Sequence, residues 1–131
     1  MTKNTRRSLL TLGLLTLSLG EADAKPPAAG VFCQTSASSP LCTGQPPSCT
    51  LCHVAPPQRN AYGASVEMSL SPGKARPLSD TDFAAGLPAA LAAADALDSD
   101  GDGVNNRDEI LAGTLPADAN STPGATACQG G

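Results

Sequence analysis

Tryptophan is absent from this chain, and the other aromatic rings are scarce: Tyr62, Phe32, Phe83 and the imidazole of His53 are the whole set. So few large side chains cannot fill a core of ordinary size, and a small domain of this composition needs a covalent or metal staple. A single histidine excludes any site built on two imidazoles. Basic residues number 8 against 12 acids and form no stripe, which argues against a nucleic-acid partner. Outside the N-terminus no segment is apolar enough to cross a bilayer as a helix, which takes ~20 residues. With 13 glycines and 12 prolines in 131 residues, regular elements are expected to be short.

What is present falls into segments. Residues 1–24 carry a basic start (Lys3, Arg6, Arg7), an apolar run from Leu9 to Leu19 and an Ala22-Asp23-Ala24 cleavage site, the layout of a signal peptide. The expected location is therefore periplasmic or extracellular, with no membrane span after cleavage. Residues 25–47 are rich in Pro, Ser, Ala and Gly and read as an extended, irregular lead-in anchored by Cys33 and Cys42. Within 48–70, "ASVEMSL" suits a short helix. Ser79 with Asp82 forms a capping box that starts a helix at Asp80. Gly86 and Pro88 are expected to interrupt it, with a second helix from Pro88 burying Leu91, Ala94 and Leu97. "RDEILA" makes an exit helix capped by Gly113, with Ile110 and Leu111 packing back. Residues 115–131 read as an irregular tail.

The stretch "CTLCH", Cys49 to His53, carries the first chemistry. Two thiols three apart on one turn reach two vinyl groups on a porphyrin edge, and the adjacent imidazole ligates iron: the pattern of covalent haem c attachment. An exported chain meets the requirement that haem is joined outside the cytoplasm. The alternatives are a structural disulfide, a redox dithiol, or half of a zinc site completed by distant thiols or carboxylates. With no second histidine, Met68 is the candidate sixth ligand; it also suits ordinary packing, leaving iron five-coordinate or bound by water or Lys74. Cys33, Cys42 and Cys128 then supply one disulfide and one odd thiol.

The second stretch is "DSDGDGVNNRDE", residues 98–109, which holds five of the twelve acids. Numbered as a 12-residue calcium loop, it places Asp98, Asp100, Asp102, the Val104 carbonyl, Asn106 and Glu109 at the ligand positions, with Gly103 at the sharp turn. Alternate oxygens wrap a hard cation and the terminal Glu closes its shell. A solvated acidic turn without an ion is the alternative. There is one loop rather than a pair, so the expectation is structural Ca2+ rather than a switch.

"RNAYG" (Arg59 to Gly63) followed by "LDSDGDGVNNRDEILAG" resembles the temptin-like pattern, and the loop with "GTLPAD" resembles thrombospondin type 3 and dockerin calcium repeats. The likeness covers residues 59–118. It implies a secreted calcium-binding protein of signalling or adhesion, with calcium at Asp98, Asp100, Asp102, Val104 and Glu109. The chain departs from that pattern at CTLCH, toward a c-type cytochrome.

The sequence thus predicts a small, mainly irregular fold with short α-helices, stapled by disulfide. It combines a haem-attachment segment (48–70) with a helix–EF-hand-like calcium loop–helix unit (79–114). The expected role is electron transfer or haem-dependent sensing with a redox partner protein, not enzymatic turnover. The alternative is a haem-free calcium module working through an extracellular protein partner.

Overall fold

In the computed structural model, residues 27–124 are described; the signal segment, Lys25 and Cys128 lie outside them. Among the described residues four short helices and one small hairpin make up the regular structure: α1 (Pro27–Thr35), β1 (His53–Ala55), β2 (Gln58–Arg59), α2 (Ala61–Ser69), α3 (Asp80–Ala94) and α4 (Asn106–Ala112). Single 3-10 turns sit at Pro40–Cys42 and Cys49–Leu51.

The core forms around α3, against which α1 and α2 both pack. Ala90 and Ala94 are fully buried, and their small side chains let the neighbouring helices close in beside Leu87 and Leu91. Phe32 of α1, Tyr62 and Val66 of α2, and Ile110 of α4 complete the same cluster. Among the described residues Phe32, Tyr62, Ile110 and five leucines (Leu51, Leu70, Leu78, Leu87, Leu91) are buried here, each burial contributing about 1.5–3 kcal/mol.

The lead-in is not irregular as expected. Residues 27–35 form α1, because Ala28, Val31, Phe32 and Cys33 give a face that packs on the core. The Cys33–Cys42 disulfide then ties this helix to the following turn. Pro and Gly content marked the segment as loop, but tertiary contact outweighs weak local propensity. From the same turn Ser39, 1 % exposed, donates its hydroxyl to the Ile110 carbonyl near the end of α4. The lead-in therefore braces the exit helix of the acidic loop.

The expected break at Gly86 and Pro88 is also absent, and α3 runs unbroken from Asp80 to Ala94. Phe83, Leu87, Ala90, Leu91 and Ala94 form one apolar stripe through the proline, and packing of that stripe outweighs the lost hydrogen bond. At Gly86 a side chain would meet the Ser71 hydroxyl, so glycine there lets the chain after α2 lie against the helix. The start of α3 is as predicted: Ser79 Oγ accepts the Asp82 N–H at 3.0 Å and donates to the Asp82 carboxylate at 2.9 Å. Gly113, with φ 81°, ends α4 in the left-handed conformation expected of it. Two burial expectations fail: Leu97 and Leu111 are 41 % and 39 % exposed. Leu97 lies past the last turn of α3, off its buried stripe.

The disulfide spans 9 residues, so its removal by Cys33→Ser with Cys42→Ser is expected to cost about 2.5 kcal/mol. Urea midpoints of the two proteins check this; an unchanged midpoint would mean that α1 holds without the bond.

Candidate functional site

The CTLCH turn is short and externally held. Ser48 accepts the Thr50 N–H at 3.3 Å and so caps the 3-10 turn Cys49–Leu51. Leu51, 5 % exposed, anchors it in the core. Cys49 is exposed and Cys52 half-buried, and both thiols are free while Cys33 and Cys42 are paired. Burial, then the neighbouring Cys49, pushes the Cys52 thiol up to about 11. A thiol so shifted is neutral near pH 7. His53 opens β1, opposite Arg59 of β2, with Nδ1 3.3 Å from the Gln58 carbonyl. A proton on Nδ1 donates there and leaves Nε2 as the free lone pair. Met68 stands 73 % exposed on α2.

The thiols and imidazole do not converge. Among the described residues the one group bringing three potential ligand atoms within 4.8 Å of one another is Asp98, Asp100 and Asp102. Zinc needs convergent ligands. Thioether attachment needs the two sulfurs spread along a ring edge instead.

The residue that organises this turn is Asn60, which ligand spacing alone did not single out. Its backbone N–H donates to the Cys52 carbonyl at 3.0 Å. Its side-chain amide donates to the Thr50 and Leu51 carbonyls at 2.8 and 3.0 Å. Its Oδ1 accepts the Gly63 N–H at 2.9 Å, capping α2. The signal available in the sequence was an Asn directly before a helical segment, the N-cap preference. The rest of "RNAYG" has equally specific work. Tyr62 is fully buried, Arg59 pairs with Glu67 at 2.9 Å, and Gly63 lies so close to the Cys52 carbonyl that a Cβ would collide with it.

The acidic loop follows α3. Asp98 accepts the Gly101 and Gly103 N–H groups at 2.7 and 2.9 Å. Asp100 accepts the Asp102 N–H at 3.2 Å, and Asp102 accepts that of Val104 at 2.7 Å. Gly101 and Gly103 have φ of 80° and 95°, which lets the backbone coil inside the carboxylates. These bonds leave oxygens over: Asp100 Oδ2 and Asp102 Oδ2 are buried without a partner. Glu109 is fully buried, and neither of its carboxylate oxygens has a hydrogen bond.

Among the described residues no side-chain cation is paired with this charge. Arg59 and Arg76 pair with Glu67, Lys74 with Asp82, and Arg107 with Asp95. Burial first, then Asp100, Asp102 and Asp98, pushes Glu109 up to about 7. Burial is also the largest cause raising Asp100, with Asp102 and Asp98 adding to it. An unpaired buried carboxylate costs several kcal/mol unless it is protonated or a cation is supplied. The chemistry of the donor set, all hard oxygens, fits calcium.

Asn106 has a different task from the ligand position its spacing suggests. It is fully buried, its Oδ1 accepts the Ser99 N–H at 3.1 Å, and its Nδ2 donates to the Ala94 carbonyl at 2.7 Å and to Ser99 Oγ at 2.9 Å. It clamps the loop's start to its end. Asn105 caps α4 by accepting the Asp108 N–H at 2.9 Å.

No family model matches this chain, and neither a curated protein nor a solved structure is found to be similar to it. No helix among the described residues is long and apolar enough to cross a membrane.

Proposed function

We propose that this chain is an exported c-type haem protein braced by a structural calcium ion, serving electron transfer or haem-dependent sensing. The observation that carries the haem reading is the state of CTLCH. Cys49 and Cys52 are both unpaired in a chain that does pair Cys33 with Cys42, and His53 directs Nδ1 toward a backbone carbonyl. In this reading Cys49 and Cys52 would hold the haem as thioethers, their thiols adding across its two vinyl groups, and His53 would supply Nε2 as an iron ligand. Met68, exposed on α2, would be the further candidate ligand. Bound haem supplies one-electron chemistry. The chain contributes attachment, imidazole orientation and, because few bulky residues surround the turn, an exposed edge for a redox partner protein.

The calcium reading rests on the orphaned oxygens of Glu109, Asp100 and Asp102. Asp98, Asp100, Asp102 and Glu109, with the Val104 carbonyl, form the proposed shell. A second reading, a haem-free calcium module acting through extracellular protein contacts, is favoured by one observation: the Cys52 thiol is half-buried, and that burial is the main cause pushing it up to about 11. A thiol in that setting forms a thioether only if the turn yields.

Visible absorption separates the two. Protein exported from a host able to mature c-type cytochromes is expected to show a Soret band that survives denaturation and disappears in Cys49→Ala with Cys52→Ala. Colourless protein contradicts the haem reading and leaves the calcium module.

A further inference from the structure

The two candidate sites are joined by a short chain of contacts. Ser99 lies between Asp98 and Asp100, and its Oγ shares a 2.9 Å hydrogen bond with Ser65 Oγ on α2. Asn106 grips the same serine through its N–H and its hydroxyl. The N-terminal turn of α2 holds the CTLCH turn: Asn60 binds the Thr50, Leu51 and Cys52 carbonyls, and Gly63 packs on Cys52. Tyr62, fully buried with an unpartnered hydroxyl, belongs to the same core cluster as Leu51 of the turn and Leu91 and Ala94 of α3.

We infer that α2 transmits calcium occupancy of the acidic loop to the CTLCH turn, through Ser99–Ser65 at one end and Asn60 at the other. The inference rests on the calcium reading and goes beyond it, because it gives the ion a task away from its own loop. Without the ion, the repulsion among Asp98, Asp100, Asp102 and Glu109 loosens the backbone on both sides of Ser99, and the grip on Ser65 weakens. With calcium, Asp98 and Asp100 are fixed and Ser99 holds α2 in register. The turn that Asn60 anchors is then ordered before anything is attached to it. Calcium in the exported compartment makes CTLCH ready.

Amide hydrogen exchange on the full chain after signal removal, with calcium and with chelator, tests this whether or not haem is present. Calorimetry with CaCl2 on the same samples reports calcium binding separately. Calcium is expected to slow exchange at Cys52 and Asn60 by about fivefold or more. The α1-terminal amide of Ser36, which bonds the Phe32 carbonyl beside the disulfide, is expected to change less than about twofold. In Ser65→Ala, folded by circular dichroism, the effect at Cys52 and Asn60 is expected to fall below about twofold while calcium still binds. Binding without slowing in the parent protein, or equal slowing at all three amides, overturns the coupling and leaves the calcium site standing. Undiminished slowing in Ser65→Ala overturns the assigned path. No calcium heat at all removes the calcium reading, and the coupling with it.

Discussion

In chelator, the protein is expected to lose on the order of 3 kcal/mol of unfolding free energy as pH rises from about 4.5 to about 7, and calcium is expected to abolish that loss. The cause is Glu109, pushed from 4.5 to about 7 by burial and by Asp100, Asp102 and Asp98. Between those values the folded protein keeps a proton that the unfolded chain gives up. The stabilisation is therefore complete below the unfolded value and gone once pH passes the folded one. A bound divalent cation inverts the sign, since the ionised carboxylate becomes the favoured form. Glu109→Gln carries no charge at that position in either state, so its chelator profile is expected to lose most of this slope, and calcium is expected to raise its stability little. Urea unfolding across the pH range, with and without calcium, checks all three curves. A parent protein whose stability is independent of both pH and calcium would mean that Glu109 faces no cation site.

Gly63→Ala is expected to destabilise the protein by about 3 kcal/mol or more, a large effect for one methyl group. The methyl would collide with the Cys52 carbonyl oxygen and lie 2.9 Å from its carbon. Both obstacles are backbone, so no rotamer relieves them. Alanine otherwise favours a helix over glycine by ~1 kcal/mol, so intrinsic propensity predicts the opposite sign. Relief requires the turn to back away from α2, which breaks the Asn60 bonds to Thr50, Leu51 and Cys52. Thermal unfolding of Gly63→Ala beside Ala64→Gly, at an exposed position of the same helix, separates the steric loss from the propensity effect. If Gly63→Ala is as stable as the parent, the close packing of α2 on the CTLCH turn is wrong.

Much of the helix–loop–helix region was legible because its signals are local. Ser79 and Asp82 cap α3, the Asp-Gly alternation from Asp100 to Gly103 coils the loop, and Gly113 stops α4. Each feature depends on residues a few positions apart. What escaped depends on distant partners. The helix at Pro27–Thr35 forms because Phe32 finds α3 and Cys33 finds Cys42, and neither contact leaves a periodic mark in a stretch rich in small residues. The unbroken α3 reflects an apolar stripe that continues through Pro88, where local rules favour a break. Asn106 fits the ligand spacing, yet its amide is drawn inward by Ala94 and Ser99, a choice made by burial. The stapling of CTLCH by Asn60 was written in "RNAYG", but its meaning required knowing that α2 begins there.

The central claim is that Cys49 and Cys52 become thioethers in the exported protein. Intact mass, measured after export from a cytochrome-maturing host and again after reduction, tests it most directly. The expected result is the mass of the processed chain plus one haem, unchanged by reductant except for the hydrogens taken up when Cys33–Cys42 opens. A mass equal to the bare processed chain less the hydrogens of its disulfides would contradict it.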